Sequence, residues 1–372
     1  MKKINFGNVF IKTKKTNVVL LICVFLLLII GCVFVFSASM YSADLNFDNK
    51  YHFLTKQIIG CVLGILVLIL TSKVDYKIYN KYKNFFYFLG LVLLAIVFIP
   101  GLGVTNNGAR RWIRLVGFTI QPSEIAKFCF VIFCAGYMAR NKDIIKSFWG
   151  IVPVLCMGAA YCVLIMLEPN MSITICVGLT MLLMLFVGGA KIKHFIILSG
   201  PIIVLGVLLV IIEPYRMERL VAFINPWKYP QGEGYQLIQS LYSLSGGGLF
   251  GVGIFNSRQK YLFLPFSESD FVFSIIGEET GLFGCAAVIA LYAIIIFQGI
   301  KIAYNAKDRF GCYLASGITI LLSTQVLINI AVVTGSIPPT GVPLPLISAG
   351  STSIVAFMAM FGILLNIHKQ SE

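Results

Sequence analysis

The chain is 372 residues long, 58% hydrophobic and only 12% charged, with a mean hydropathy of +0.91, too few charges to cover a soluble fold of this size. Its net charge of +14 does not point to nucleic acid, because the cations fall mainly in short gaps between apolar runs, where they orient helices across a bilayer. The ten cysteines and three histidines (His52, His194, His368) form no CxxC pair or Cys/His cluster, so neither a disulfide framework nor a zinc site is indicated.

The first 17 residues form a basic tail with five lysines, expected to lie in the cytoplasm. The apolar run 18–36 has the length of a span rather than of a signal-peptide core, and predicts a retained first helix. Further span-length runs follow at 57–70, 85–99, 122–138, 150–167, 171–189, 194–212, 271–299, 311–333 and 351–367. They predict an all-α integral membrane protein of about ten transmembrane helices, a single domain over residues 1–372. With the N-terminus inside and the spans alternating, 18 Lys and Arg fall inside and 10 outside, with Lys127 within a span. That bias predicts both termini inside.

Two outer segments, 101–121 and the large loop 213–270 between helices 7 and 8, hold eight of the ten outer cations. In the first, Arg110, Arg111 and Arg114 surround Trp112. Guanidinium forks bind phosphate oxygens in pairs and an interfacial Trp anchors at head-group level, so this group suits an anionic lipid head group. Pro122 then opens a helix, with Ser123 and Glu124 in its first turn. Glu124 and Lys127, three residues apart, share a helix face and can pair inside the membrane, where the pair could equally serve only to lock the helix.

In the large loop, the glycines of 246–253 match no nucleotide-binding pattern and suit close backbone approach or a turn. Asp270 stands at the entry of the eighth span, where a carboxylate can simply cap a helix. Glu278 and Glu279 lie two turns deeper and suggest a polar cavity. In the ninth span Gln325 and Asn329 share a face suited to interhelical hydrogen bonds. The outer segment 334–350 is rich in proline and reads as a re-entrant element lining a site.

Several of these segments together resemble the SEDS family of bacterial membrane glycosyltransferases, which comprises FtsW, RodA and SpoVE. The resemblance rests on Asn-Gly-Ala-Arg-Arg-Trp-Ile (107–113), Gln-Pro-Ser-Glu-Ile-Ala-Lys (121–127), Glu-Pro-Asn-Met-Ser (168–172) and Asn-Pro-Trp (225–227). It continues through Gly-Tyr-Gln-Leu-Ile-Gln-Ser-Leu (234–241), Gly-Gly-Leu-Phe-Gly-Val-Gly (247–253), Asp-Phe-Val-Phe-Ser-Ile-Ile-Gly-Glu-Glu (270–279) and Pro-Leu-Pro-Leu-Ile-Ser (343–348). The chain is closer to the FtsW/SpoVE branch than to RodA. It departs from the family where Phe266 replaces a glutamate and Glu268 supplies a displaced acid, where Asn170 replaces a frequent aspartate, and at Ser348–Ser353.

The resemblance implies polymerisation of lipid II into β-1,4 glycan strands on the outer face of the bacterial cytoplasmic membrane, by an inverting transfer that releases undecaprenyl pyrophosphate. It makes Asp270 the candidate base, with Glu268 its rival, and assigns substrate binding to Arg110, Arg111, Trp112, Arg114, Gln121, Ser123 and Lys260. Implied partners are lipid II, the nascent glycan, a class B penicillin-binding protein acting as transpeptidase, and other division or sporulation membrane proteins. No cofactor is evident, although a divalent cation, Mg or Mn, could share the pyrophosphate charge. A lipid II flippase, or a non-catalytic scaffold, would also fit the family.

Overall fold

A computed structural model describes residues 16–371 apart from 107–108 and 116–117. Residues 1–15 of the basic tail and the Asn-Gly pair that opens the arginine motif thus lie outside the described residues. In chain order the helices are α1 (Val18–Phe47), α2 (His52–Lys73), α3 (Lys77–Lys81), α4 (Lys83–Ile96), α5 (Pro122–Arg140), α6 (Phe148–Leu167) and α7 (Met171–Val187). Then come α8 (Ile192–Ile212), α9 (Pro214–Ile224), α10 (Tyr235–Gly247), α11 (Val272–Tyr304), α12 (Arg309–Val333) and α13 (Ser351–Ser371). Eight of them are long and apolar enough to cross a membrane, and α4 and α7 are shorter apolar helices at two of the expected span positions.

Two segments depart from the sequence reading. Residues 103–120 are not an irregular loop. They form a three-stranded antiparallel sheet, β1 (Gly103–Asn106), β2 (Ala109–Leu115) and β3 (Phe118–Ile120), so the fold is nearly rather than wholly helical. The physical reason is local: Val104, Trp112, Ile113, Thr119 and Ile120 are β-branched or aromatic residues that favour a pleated surface. The large loop 213–270 is likewise partly regular, since it contains α9 and α10.

Local chemistry sets several helix starts. The side chains of Asn17, Ser147, Asn170 and Asp308 accept from the backbone N–H groups of Leu20, Gly150, Ile173 and Gly311, capping α1, α6, α7 and α12. In the bundle α12 packs against α5, α7 and α11, while α2 lies along α13 and α4 along α5. By contrast α8 buries only His194, and Ile196, Ile203, Val204 and Ile211 are exposed, as suits a helix facing hydrocarbon.

Helix α11 is broken at Gly281, whose φ of 66° and ψ of −162° are open essentially to glycine alone. The glycine-rich segment after α10 fills the break. Val252 and Gly253 N–H donate to the carbonyls of Glu278 and Glu279 at 2.9 and 3.0 Å, and Leu282 N–H donates to Gly248 O at 2.9 Å. A methyl group at Gly251 would meet the Glu279 carbonyl oxygen at 2.2 Å, so close approach explains the glycines.

Candidate functional site

The Pro-rich segment 334–350 has no regular secondary structure, yet it buries Val342, Leu344, Leu346 and Ile347. Irregular backbone packed at this depth needs its polar groups satisfied by protein, and α12 supplies much of what is needed. Gln325 donates to the Pro343 carbonyl at 2.9 Å. Asn329 spends both amide protons, one on Val342 O at 2.7 Å and one on Asp270 O at 2.8 Å.

Behind Gln325 stands a buried ion pair, Lys127 to Glu124 at 2.8 Å, with both side chains 1% exposed. Lys127 also donates to Gln325 Oε1 at 2.7 Å. A buried pair of this kind costs about 3–5 kcal/mol when one partner is removed. Its visible role here is to brace α5 against α12 and, through Gln325, the Pro-rich segment.

The same segment and α12 together hold the backbone ahead of α11. Three successive carbonyls accept in turn: Glu268 O from Ala349 N–H at 2.9 Å, Ser269 O from the Ser348 hydroxyl, and Asp270 O from Asn329. Asp270 is not the helix cap, because α11 begins at Val272 with Phe271 in the cap position and no side-chain cap bond. Among the described residues no hydrogen bond fixes its half-buried carboxylate. A methyl group at Gly341 would meet that carboxylate at 3.0 Å, so the Pro-rich segment closes over it.

Burial, and secondarily the negative charge of Glu268, raise the Asp270 carboxyl to about 7, while the Arg111 and Arg219 guanidinium groups oppose the rise. Burial also raises the Glu268 carboxyl. Beside Glu268 lies a cavity of about 300 Å³, walled by Ser42 and Asn46 of α1, Phe53 of α2 and Pro265.

The arginine group is divided by the pleat of β2. Successive strand side chains point to opposite faces, so Arg110, Trp112 and Arg114 share one face and Arg111 takes the other. Arg110 and Arg114 are exposed and Trp112 is half-buried. Arg111 Nε donates to Glu168 O at 3.2 Å, and a second N–H donates to Pro169 O. Arg111 is thus the arginine of this group whose charge acts on Asp270.

The other candidates, Ser123, Gln121 and Lys260, are buried or half-buried. The Ser123 side chain is buried with its hydroxyl unpartnered. Gln121 is half-buried, and its backbone N–H donates to the Thr352 hydroxyl at 3.2 Å. Lys260 is 1% exposed, donates to Phe255 O and lies 3.8 Å from Glu279 Oε1. Burial lowers its pKa against the pull of Glu279 and Glu278. Its charge is balanced inside the protein by Glu279, and it also lines the cavity beside Glu268.

Glu278 and Glu279 have the polar surroundings expected of intramembrane acids. Glu278 accepts from the Ser257 and Ser243 hydroxyls and from Arg258 and Gln259 N–H, and Glu279 accepts from the Ser37 hydroxyl and Ser257 N–H. These two acids pin residues 257–259 onto α11 and α1. The second carboxylate oxygen of Glu279 is buried without a hydrogen-bond partner.

Two residues near the site were missed from sequence. Glu168, at the turn between α6 and α7, buries both carboxylate oxygens without a hydrogen-bond partner, and burial lifts it to about 8 against Arg111. An acid directly after an apolar run and before proline was the available signal. Arg219 pairs with Glu233 at 2.8 Å on the surface and also acts on Asp270. Among the described residues no three His, Cys, Asp or Glu side chains come together as a metal cluster. A divalent cation would fit near Asp270 and Glu268 only as ions that take one or two carboxylates and complete their shell with phosphate and water.

A multi-pass helical membrane protein with a raised carboxylate held beneath a proline-rich cover is the class that fold and site define. The chain belongs to the FtsW/RodA/SpoVE family, described as "Cell cycle protein", whose model matches residues 17–372. It is 40% identical to Stage V sporulation protein E of Bacillus subtilis strain 168 over 365 residues, 97% of this chain and 99% of that protein. It is 37% identical to a probable peptidoglycan glycosyltransferase FtsW of Francisella salina, covering 93% of this chain and 87% of the relative. One solved structure, described under "Structural coordination of polymerization and crosslinking by a peptidoglycan synthase complex", matches with a TM-score of 0.81 at 25% identity, covering 96% of this chain and 99% of that one. The rod shape determining protein RodA of Thermus thermophilus shares the fold with a TM-score of 0.70 at 24% identity, over 95% and 97% of the two chains.

Proposed function

We propose that this protein is a peptidoglycan glycosyltransferase that polymerises lipid II into β-1,4 glycan on the outer face of the bacterial cytoplasmic membrane. The observation that carries the reading is Asp270: its backbone is held at three successive carbonyls while its carboxylate is unbonded and raised to about 7. A base is most effective when its pKa lies near the working pH. In this reading Asp270 takes the proton from the acceptor sugar 4-hydroxyl as that oxygen attacks C1 of the donor. Attack opposite the departing pyrophosphate inverts the anomeric centre.

In this reading Arg111 and Arg219, whose charges act on Asp270, stabilise the leaving pyrophosphate electrostatically. Arg110, Trp112 and Arg114 on the opposite face of β2 suit lipid head groups. A bound Mg or Mn ion would add positive charge there. Glu124, Lys127, Glu278 and Glu279 are the intramembrane charges a flippase could use, and all four are engaged in bonds within the protein.

The Ser-x-x-Lys tetrad of the chain, Ser257 to Lys260, is tied into the fold, its serine donating to Glu278 and its lysine lying 3.8 Å from Glu279, so in this reading crosslinking falls to a partner, a class B penicillin-binding protein. Purified full-length protein, supplied with lipid II and that partner, should yield glycan polymer; none under conditions where a positive control polymerises would sink the reading. Orientation is tested separately by cysteine accessibility. Residues beside Trp227 and Pro343 should label from outside and those beside Lys81 and Lys307 from inside, the reverse pattern overturning the assigned side.

A further inference from the structure

A recess of about 900 Å³ opens at the end of α5 opposite to the Asp270 site, and its walls come from α3, α4, α5 and α12. Five cations line it, Lys77, Lys81, Lys83, Arg140 and Arg309, with one acid, Asp308. That acid is already committed: it accepts from the Tyr76 hydroxyl and from Gly311 N–H at 2.8 Å. The recess therefore presents a strong positive excess.

Its floor is built rather than accidental. Lys83 lies across Gly136 and donates to the Gly136 carbonyl at 2.9 Å. A methyl at Gly136 would meet Lys83 Cδ at 2.5 Å and Asn80 Oδ1 at 3.0 Å. Lys77, Lys81, Arg140 and Arg309 remain exposed around that floor. Cations that serve only to orient helices need to lie near the helix ends; nothing requires them to converge on one hollow from four elements.

The recess lies at the ends of the spanning helices α4, α5 and α12, hence at the membrane surface, where basic pockets between helices take phosphate-bearing lipid head groups. Two arginine forks and three ammonium groups exceed what one phosphate can occupy. Exposed Tyr82 and Phe85 beside it offer apolar surface to the acyl chains. We propose that this recess binds the head group of a membrane lipid carrying two phosphates, on the face opposite to Asp270.

Native mass spectrometry of the full chain in micelles tests this with cardiolipin, phosphatidylglycerol and inorganic pyrophosphate as separate probes. Cardiolipin should be retained over phosphatidylglycerol. Removing cations should weaken its retention about fivefold each, about 25-fold for R140Q/R309Q. K81Q, at an exposed position, gives the single-cation loss if the arginine pair does not fold. K142Q/K146Q removes two cations from the neighbouring turn outside the recess and should leave retention unchanged. An equal loss in K142Q/K146Q, no loss in the recess variants, or equal retention of phosphatidylglycerol would overturn the proposal. Pyrophosphate binding as strongly as cardiolipin would overturn the lipid assignment in favour of the free anion.

Discussion

Asp270 and the Glu278–Glu279 pair lie two turns apart at the outer end of α11, and the protein treats them in opposite ways. The glutamates are drowned in donors: two serine hydroxyls and two N–H groups on Glu278, another hydroxyl and N–H on Glu279, with Lys260 nearby. At Asp270 the donors go to the main chain instead and leave the carboxylate open. A buried carboxylate that accepts several donors is a rivet; one whose backbone is held and whose oxygens accept none is available for chemistry. Hydrogen bonding thus separates two kinds of acid that look alike in an apolar sequence.

The strongest test of that contrast is Asp270→Asn, expected to cut glycan polymerisation about 10²–10⁴-fold while lipid II binding and thermal stability persist. Near-normal polymer from this variant, with a dead Glu268→Gln, would move the base to Glu268.

Glu278→Gln should show the reverse pattern, because it turns an amide N–H toward groups that themselves donate. It should cost about 1–3 kcal/mol of stability, read as a lower Tm, with residual activity tracking the folded fraction. Full stability with abolished activity would erase the distinction between the two acids.

The pH profile sharpens it further. A base raised to about 7 must lose its proton before it can act, so the rate should climb as pH rises through about 7. Glu268→Gln removes a negative neighbour that holds the value up, so the inflection should move to lower pH. An unmoved inflection would show that the two carboxyls do not sense each other.

The smallest effect is expected at Glu168. Its folded-state value of about 8 lies above the ordinary 4.5, so the folded protein holds that proton more tightly than the unfolded chain. Its contribution to stability is complete below 4.5 and is lost as pH rises through about 8. Glu168→Gln should flatten this part of the Tm-against-pH curve and change little below it; identical curves would show that Glu168 does not titrate in the fold.

Much of the architecture was legible because hydrocarbon imposes a length on every crossing helix, and all ten apolar runs are helical. The sheet at 103–120 escaped because its strands, of four, seven and three residues, are too short to show a period. At the site, the i, i+4 spacing of Gln325 and Asn329 foretold a shared face, and the i, i+3 spacing of Glu124 and Lys127 foretold their pair. What they hold could not be read, since Pro343 and Val342 present only carbonyls, which every residue has. The splitting of Arg111 from Arg110 and Arg114 likewise needed the strand, because three arginines in a loop have no defined faces.

The three donors that hold residues 268–270 have a consequence for how the protein is made. Asn329, Ser348 and Ala349 all follow Asp270 in the chain, so synthesis delivers the acid well before anything that aims it. Through the insertion of α11 and most of α12 the ribosome has produced a carboxylate without a site. Residues 305–372 complete the site by arriving, and a product that stops at Tyr304 would contain the acid and none of these three partners.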